Sequence, residues 1–271
     1  MTDSPSRTAE DPLISCIIPV YNGMGDLARA VSSALTQRPG VQVILVDDSS
    51  TDGSTGFVAK LAQEDSRVSG LLLPSNRGQG YARNVGVAAA QTPYITFLDQ
   101  DDEHLPGWYD YALNALENNR GIAAVKGDIE LVGIPAHVSV TRGDPRWRAM
   151  VNSVLWNVVM HKAIYGALGG CPTSMEFRSR EGNEDIAFML ALVEHAQLAT
   201  TNYVAARHYV KPNGATAFYL SRTRVAENRT EFVEITETER KASLAGTQSD
   251  SQNRAAANLA LLRDLLRPLS R

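Results

Sequence analysis

The first 120 residues interleave two patterns: short runs that are apolar at nearly every position, and stretches whose apolar residues fall on one helical stripe. Leu13 to Val20 is the first such run, with β-branched Ile14, Ile17, Ile18 and Val20 between Pro12 and the polar turn Tyr21-Asn22-Gly23. A run apolar throughout, and not at alternate positions only, is a strand covered on both faces. Leu27, Ala30, Val31, Ala34 and Leu35 follow at helical spacing, with Asp26 placed as an N-cap and Pro39-Gly40 as the stop. Val41 to Val46, Val68 to Leu73 and Tyr94 to Leu98 repeat the strand pattern, and helical stripes lie around Phe57 to Ala62, Gly80 to Ala90 and Pro106 to Glu117. This alternation predicts an α/β, Rossmann-like fold with a mostly parallel central sheet flanked by helices. Ligands of such sheets collect outside the carboxyl ends of the strands. Three polar strand ends share that rim: Pro19-Val20-Tyr21-Asn22, Asp47-Asp48 and Asp99-Gln100-Asp101-Asp102.

Past Gly127 the pattern loosens. Strands are expected near Asp128 to Val132 and Val138 to Thr141, followed by a Trp- and Met-containing stretch from Trp147 to His161. Ile186, Phe188, Met189, Leu192, Val193 and Ala196 mark a helix, and Thr201 to Ala206 a strand. Beyond Pro212 the chain reads as helical and ends in the stripe Leu259, Leu262, Leu265, Leu266 and Leu269. The expected division is a flexible tail at 1–11, a catalytic domain at 12–216 whose nucleotide-binding half is 12–103 and acceptor-binding half 104–216, and a helical extension at 217–271.

Composition removes whole classes of function. With 26 basic against 30 acidic residues the chain lacks the positive excess that non-specific nucleic-acid binding requires, so no nucleic-acid partner is expected. Two cysteines, Cys16 and Cys171, make neither a disulfide framework nor a thiolate zinc site, which fits a cytoplasmic location. The polar segment Met1 to Asp11 does not read as a signal peptide, and no apolar run approaches the ~18 residues of a membrane span. The terminal leucines, with Arg254, Arg263, Arg267 and Arg271 nearby, suit a helix packed on the domain or a homodimer contact, with peripheral membrane docking as the rival.

Four clusters carry chemistry. In Val46-Asp47-Asp48-Ser49-Ser50-Thr51-Asp52-Gly53-Ser54, Asp48, Ser49 and Asp52 fit turn and capping roles, while Asp48 also suits hydrogen bonding to a base or ribose. In Asn76-Arg77-Gly78-Gln79-Gly80-Tyr81-Ala82-Arg83-Asn84, a helix start beside two arginines suits a diphosphate, although the glycine spacing is not that of a dinucleotide fingerprint. Asp99, Asp101 and Asp102 place three carboxylates within four residues, a repulsion that a cation or donors must offset. Mg²⁺ or Mn²⁺, held by one or two carboxylates plus phosphates and water, is the economical cation. In Glu181-Gly182-Asn183-Glu184-Asp185, acidic residues suit a helix start, and Asp185 is favoured as a general base.

Taken in order, these clusters and Gly169-Gly170 resemble a family 2 glycosyltransferase of the GT-A fold over about Leu13 to Thr216. The resemblance implies inverting, divalent-metal-assisted transfer of a hexosyl unit from a nucleotide-diphosphate sugar, with uridine the first expectation for the base. The acceptor is a hydroxyl on a glycan, a lipid-linked sugar or a small molecule. Residue by residue, it implies that Pro19 and Tyr21 line the nucleobase, Asp48 bonds the base, and Asn76, Arg83 and Asn84 flank the base or diphosphate. Asp99 and Gln100 approach the ribose, Asp101 and Asp99 coordinate the metal, and Asp185 deprotonates the acceptor. His208 or Lys211 supplies a downstream metal or phosphate contact. Cys171-Pro172 departs from the family pattern after Gly169-Gly170, where a Phe is more usual. A nucleotidyltransferase, which wants a Lys-bearing loop after the first strand, and a non-catalytic sugar-nucleotide-binding protein are the alternatives.

Overall fold

The computed structural model describes residues 13–178, 184–212, 214–221, 223–226 and 229–232. The expected α/β alternation is present: β1 (Ile14–Val20), α1 (Leu27–Leu35), β2 (Gln42–Asp47), α2 (Ser54–Glu64), β3 (Val68–Leu72), α3 (Gln79–Ala89) and β4 (Tyr94–Phe97). There follow β5 (Glu103–His104), α4 (Trp108–Asn118), β6 (Ala124–Val132), α5 (Pro145–Ser153), β7 (Val158–His161), α6 (Lys162–Ala167), α7 (Glu184–His195) and β8 (Leu198–Tyr209). The described part closes with α8 (Ala215–Ser221), β9 (Thr223–Ala226) and β10 (Arg229–Phe232).

β1 to β8 form one sheet in the order β3-β2-β1-β4-β7-β6-β8-β5. The pairs within β3-β2-β1-β4 are parallel, as is β6 with β8, whereas β7 runs antiparallel to both its neighbours and β5 antiparallel to β8. Every residue of β1 is buried, as its continuous apolar run requires of a strand inside the sheet and covered on both faces. One core cluster joins Ile18, Leu27 and Val31 to Trp108 and Leu113, and the other joins Ile17, Ala82 and Phe97 to Tyr165 and Phe188. Helices thus cover both faces, and the carboxyl ends of β1, β2 and β4 open onto one rim.

Several local expectations are corrected. Val138 to Thr141 is not a strand; the Ser139 carbonyl accepts from the Arg146 guanidinium at 2.5 Å. β5 and β7 were not expected: two and four residues carry too little periodicity to be read. Asp26 sits at the N-cap position of α1 but makes no capping bond, its carboxylate pairing instead with Arg29 and Lys211. Among the described residues beyond Pro212, α8 is the one helix and an antiparallel β9–β10 pairing follows it. The 1–11 tail and the leucine stripe at 259–269 lie outside the described residues, and among those described no helix is long and apolar enough to cross a membrane.

Candidate functional site

The rim is built from turns that hold non-glycine residues in the left-handed region. Asn22, after β1, has φ 50° and Ser49, after β2, has φ 65°. Such conformations persist where the surroundings over-determine them. The two loops are stitched together: Asn22 N–H donates to Ser50 Oγ (2.9 Å), Thr51 N–H to Asn22 Oδ1 (2.7 Å) and Gly23 N–H to Ser54 Oγ (3.0 Å). Asp52 accepts from the Ser54 hydroxyl and from the Met24 and Ser54 amides, which makes it a turn-and-cap residue. Buried Asp48 accepts the backbone N–H groups of Arg77 and Gly78, each at 2.7 Å, and so holds the loop that starts α3. That loop needs a residue without a β-carbon, because Gly78 has φ 88°.

Gln100 spans two strand ends. Its side-chain amide accepts from Tyr21 N–H and donates to Tyr21 O, both at 2.9 Å, and lies where a β-carbon on Gly23 would fall. The Tyr21 ring stays exposed, whereas Pro19 is buried within β1 and Asn76 is exposed ahead of α3.

The crowded carboxylates after β4 each find a cation within the chain. Asp99 Oδ1 accepts from Arg83 Nη2 (2.9 Å) and Gln79 Nε2 (2.7 Å). Asp101 Oδ2 pairs with Lys211 Nζ at 2.8 Å, and the same ammonium reaches Asp26 Oδ2 at 3.0 Å. Fully buried Asp102 takes His208 Nδ1 at 2.9 Å and the Tyr209 amide at 3.2 Å. Desolvation pushes Asp102 up to about 6 even though His208 opposes it, and raises Asp99 as well against Arg83. Desolvation lowers His208, but Asp102, with Asp99 and Asp101 beside it, holds it above its ordinary value. Its Nε2 meets the Thr216 hydroxyl at 2.8 Å and its ring stacks on Trp156 at 5.4 Å.

Arg83 is the hinge between the two halves of the sequence. The guanidinium, 2 % exposed, binds Asp99 on one side and Glu184 Oε1 on the other (3.0 Å). Its Nε is buried without a partner. Arg83 thus turns inward to Asp99 and Glu184, and Arg77 lies over the half-buried Tyr81 ring. Asn84 is likewise committed: Oδ1 accepts from Tyr165 Oη and Cys171 N, and Nδ2 donates to Cys171 O. It fixes the Gly169-Gly170-Cys171 turn, where both glycines have positive φ and a β-carbon on Gly170 would fall 2.6 Å from Asn84 Oδ1.

Glu184 and Asp185 open α7 beside this arginine. Glu184 is buried, Asp185 half-buried with Oδ1 accepting its neighbour's amide from Ile186 at 2.8 Å. Desolvation lifts Asp185 to about 6, Arg83 pulling it down and Glu184 pushing it up. A carboxyl near 6 that ionises at neutral pH has the property a general base needs.

One residue escaped sequence reasoning. Lys126, in the middle of β6, is 2 % exposed, and its Nζ meets Val154 O (2.6 Å), Asn157 Oδ1 (2.8 Å) and Met189 Sδ (3.9 Å). Desolvation lowers it to about 7 while the Asp185 charge holds it up. A lysine in a strand with apolar neighbours gives no signal of such burial; only the fold brings it under α7.

The residues at 15–186 match the model of glycosyl transferase family 2. The chain belongs to that family. An uncharacterized glycosyltransferase of Haemophilus influenzae is 45% identical over 92 residues, covering 34% of this chain and 37% of the relative, so the chain spans about a third of the length of the curated relatives it matches. Two solved structures share the fold. S. aureus TarS 1-349 in complex with UDP-GlcNAc has a TM-score of 0.63 at 17% identity, covering 76% of this chain and 60% of TarS 1-349. The Pyrobaculum calidifontis mannosyltransferase PcManGT, in complex with GDP-Man and Mn²⁺, has a TM-score of 0.59 at 20% identity, covering 80% of this chain and 63% of PcManGT.

In this family 2 member the three residues that the resemblance implied as metal ligands have partners within the chain: Asp99 pairs with Arg83, Asp101 with Lys211 and His208 with Asp102. Among the described residues no three His, Cys, Asp or Glu side chains converge as a metal cluster, and both ring nitrogens of His208 are engaged by Asp102 and Thr216. Asp101, half-buried at the end of the loop, fits a site completed by substrate phosphates, provided Lys211 moves off its carboxylate.

Proposed function

We propose that the chain moves a hexosyl unit, with inversion, from a nucleotide-diphosphate sugar to a hydroxyl acceptor, with Asp185 as general base. The observation that carries this reading is the Asp185 carboxyl, poised at about 6 on the first turn of α7 beside the Arg83–Glu184 pair. Residues 12–103 form the nucleotide-binding half and 104–216 the acceptor-binding half. The exposed Tyr21 ring, Asn76 and the loops that Asp48 and Gln100 organise receive the base and ribose; uridine is the favoured base, as in the UDP-GlcNAc complex of TarS. Asp101, with Asp99 adjacent, would hold Mn²⁺ or Mg²⁺ together with the donor's phosphates, and the ion would offset charge growing on the leaving diphosphate.

The remaining chemistry belongs to this chain. The acceptor oxygen attacks the anomeric carbon as the bond to the diphosphate breaks, and Asp185 takes the proton that the acceptor loses. Arg83 keeps Asp185 from rising further, so the base is ionised at neutral pH. Lys211, released from Asp101, is within the same rim to meet a phosphate oxygen. Asp185→Asn tests the reading: nucleotide binding is retained and transfer falls by ~10²-fold or more. Undiminished transfer contradicts it.

A further inference from the structure

β8 does not run straight beside β6. Thr200 pairs with Lys126 but Val204 pairs with Asp128, so Thr201 to Tyr203 bulge out of the ladder. Bulges re-aim side chains. Here the bulge faces α5 across a cleft of about 320 Å³ lined by Asp128, Trp147, Arg148, Asn152, Thr200 and Asn202, among others.

The cleft's chemistry is specific. Asp128 is spent within the wall: Oδ1 accepts from Ile129 N–H and the Trp147 indole N–H, and Oδ2 pairs with Arg142 Nε at 2.9 Å. Arg148 gives Nε and Nη2 to the Gly143 carbonyl, which leaves Nη1 without a protein partner among the described residues. The side chains of Asn152, Thr200 and Asn202 are exposed and bond to no described residue. With Asp128 paired to Arg142 and Asp144 to Arg146, Arg148, whose charge also acts on Asp144, is the surplus cation of this stretch. Amides, a hydroxyl and a guanidinium around one edge of an indole match a saccharide's ring of hydroxyls, and the surplus positive charge matches a carboxylate or phosphate carried on it.

We propose that this cleft is a subsite for an acidic saccharide unit of the acceptor. The inference rests on the transfer reading above. Its placement supports it: α5 packs against α7, whose first turn carries Asp185, and the cleft wall continues through Val151 O to Asn157, the residue that holds Lys126 beneath α7. A unit seated here is linked to, and not identical with, the unit whose hydroxyl meets the base.

The test follows the Trp147 indole N–H signal of the full-length ¹⁵N-labelled chain, assigned with Trp147→Phe, during titration with a glucuronyl-glucose disaccharide and with the neutral disaccharide cellobiose. The acidic probe is expected to move the signal saturably, cellobiose to move it little, and Arg148→Gln to weaken the acidic probe at least tenfold. Asn152→Ala, at an exposed position, is expected to weaken it as well, and Asp185→Asn to leave it unchanged. A motionless indole signal, or equal responses to the two probes, overturns the inference. UDP added to the same samples separates the two readings: a chain that binds UDP but not the acidic probe loses the subsite and keeps the proposed transfer, whereas a chain that binds neither loses both.

Discussion

Arg83 and Glu184 are 101 residues apart in sequence and 3.0 Å apart in space. Through this contact α3, whose start is held by Asp48 at the end of β2, is tied to the first turn of α7, which carries Asp185. The ion pair is almost dry: 2 % of Arg83 and 6 % of the Glu184 side chain are exposed. Removing one partner from a pair of this kind leaves an uncompensated buried charge. Arg83→Met is therefore expected to destabilise the fold by about 3–5 kcal/mol in urea unfolding, with Arg83→Lys intermediate. A loss under ~1 kcal/mol, the scale of an exposed pair, would place the guanidinium in solvent.

The pH dependence of turnover follows from Asp185. Its carboxyl is raised to about 6 and, in its proposed role as general base, acts ionised, so kcat/KM is expected to fall on the acid side with a midpoint near 6. Between pH 6 and pH 5 kcat/KM drops about fivefold, and the fall approaches about tenfold per unit at lower pH. Rates flat to pH 4.5 in the presence of saturating donor would remove the carboxylate from the proton-transfer step.

Lys126 makes the opposite statement about stability. Its folded value is about 7, below the ordinary 10.5, so between these values the unfolded chain binds the extra proton. Its contribution to stability therefore grows as pH rises from 7 toward 10.5 and is lost as pH falls through that window. The wild type is expected to gain stability relative to Lys126→Met between pH 7 and pH 9.5. A gap independent of pH would mean that the ammonium stays charged and hydrated in the fold.

Lys211 occupies the carboxylate that a divalent ion would use. Lys211→Met is expected to bind Mn²⁺ more tightly than wild type in the absence of nucleotide, read by the free-Mn²⁺ electron-paramagnetic signal. In the presence of UDP the gain shrinks, since the same substitution removes a cation for the diphosphate. Weaker Mn²⁺ binding by the variant without nucleotide would show that ion and ammonium do not compete for Asp101.

The first half of the fold was legible because β1, β2 and β4 are buried on both faces and so are apolar at nearly every position. The four-residue β7 and two-residue β5 are too short to show a period, and the β8 bulge places polar Thr201 and Asn202 inside a strand. For the site, the sequence located the rim and its carboxylates but not their partners. Three close aspartates argued for an external cation, yet Arg83, Lys211 and His208 come from segments up to 110 residues away. Arg83 and Asn84 looked like ligand contacts for the same reason: sequence spacing shows which residues lie near a helix start, not which way they turn. Arg83 turns to Asp99 and Glu184, and Asn84 to the Gly169-Gly170 turn.

The central claim is a nucleotide-sugar site assembled on this rim with Asp101 as its metal carboxylate. Calorimetric titration of UDP, GDP and dTDP, with and without Mn²⁺, on wild type and Asp101→Asn tests it most directly. The account predicts that UDP binds with Mn²⁺, binds at least tenfold more weakly without it, and loses the metal dependence in the variant. Nucleotide binding equal in all four conditions, or absent from the wild type with Mn²⁺, would contradict it.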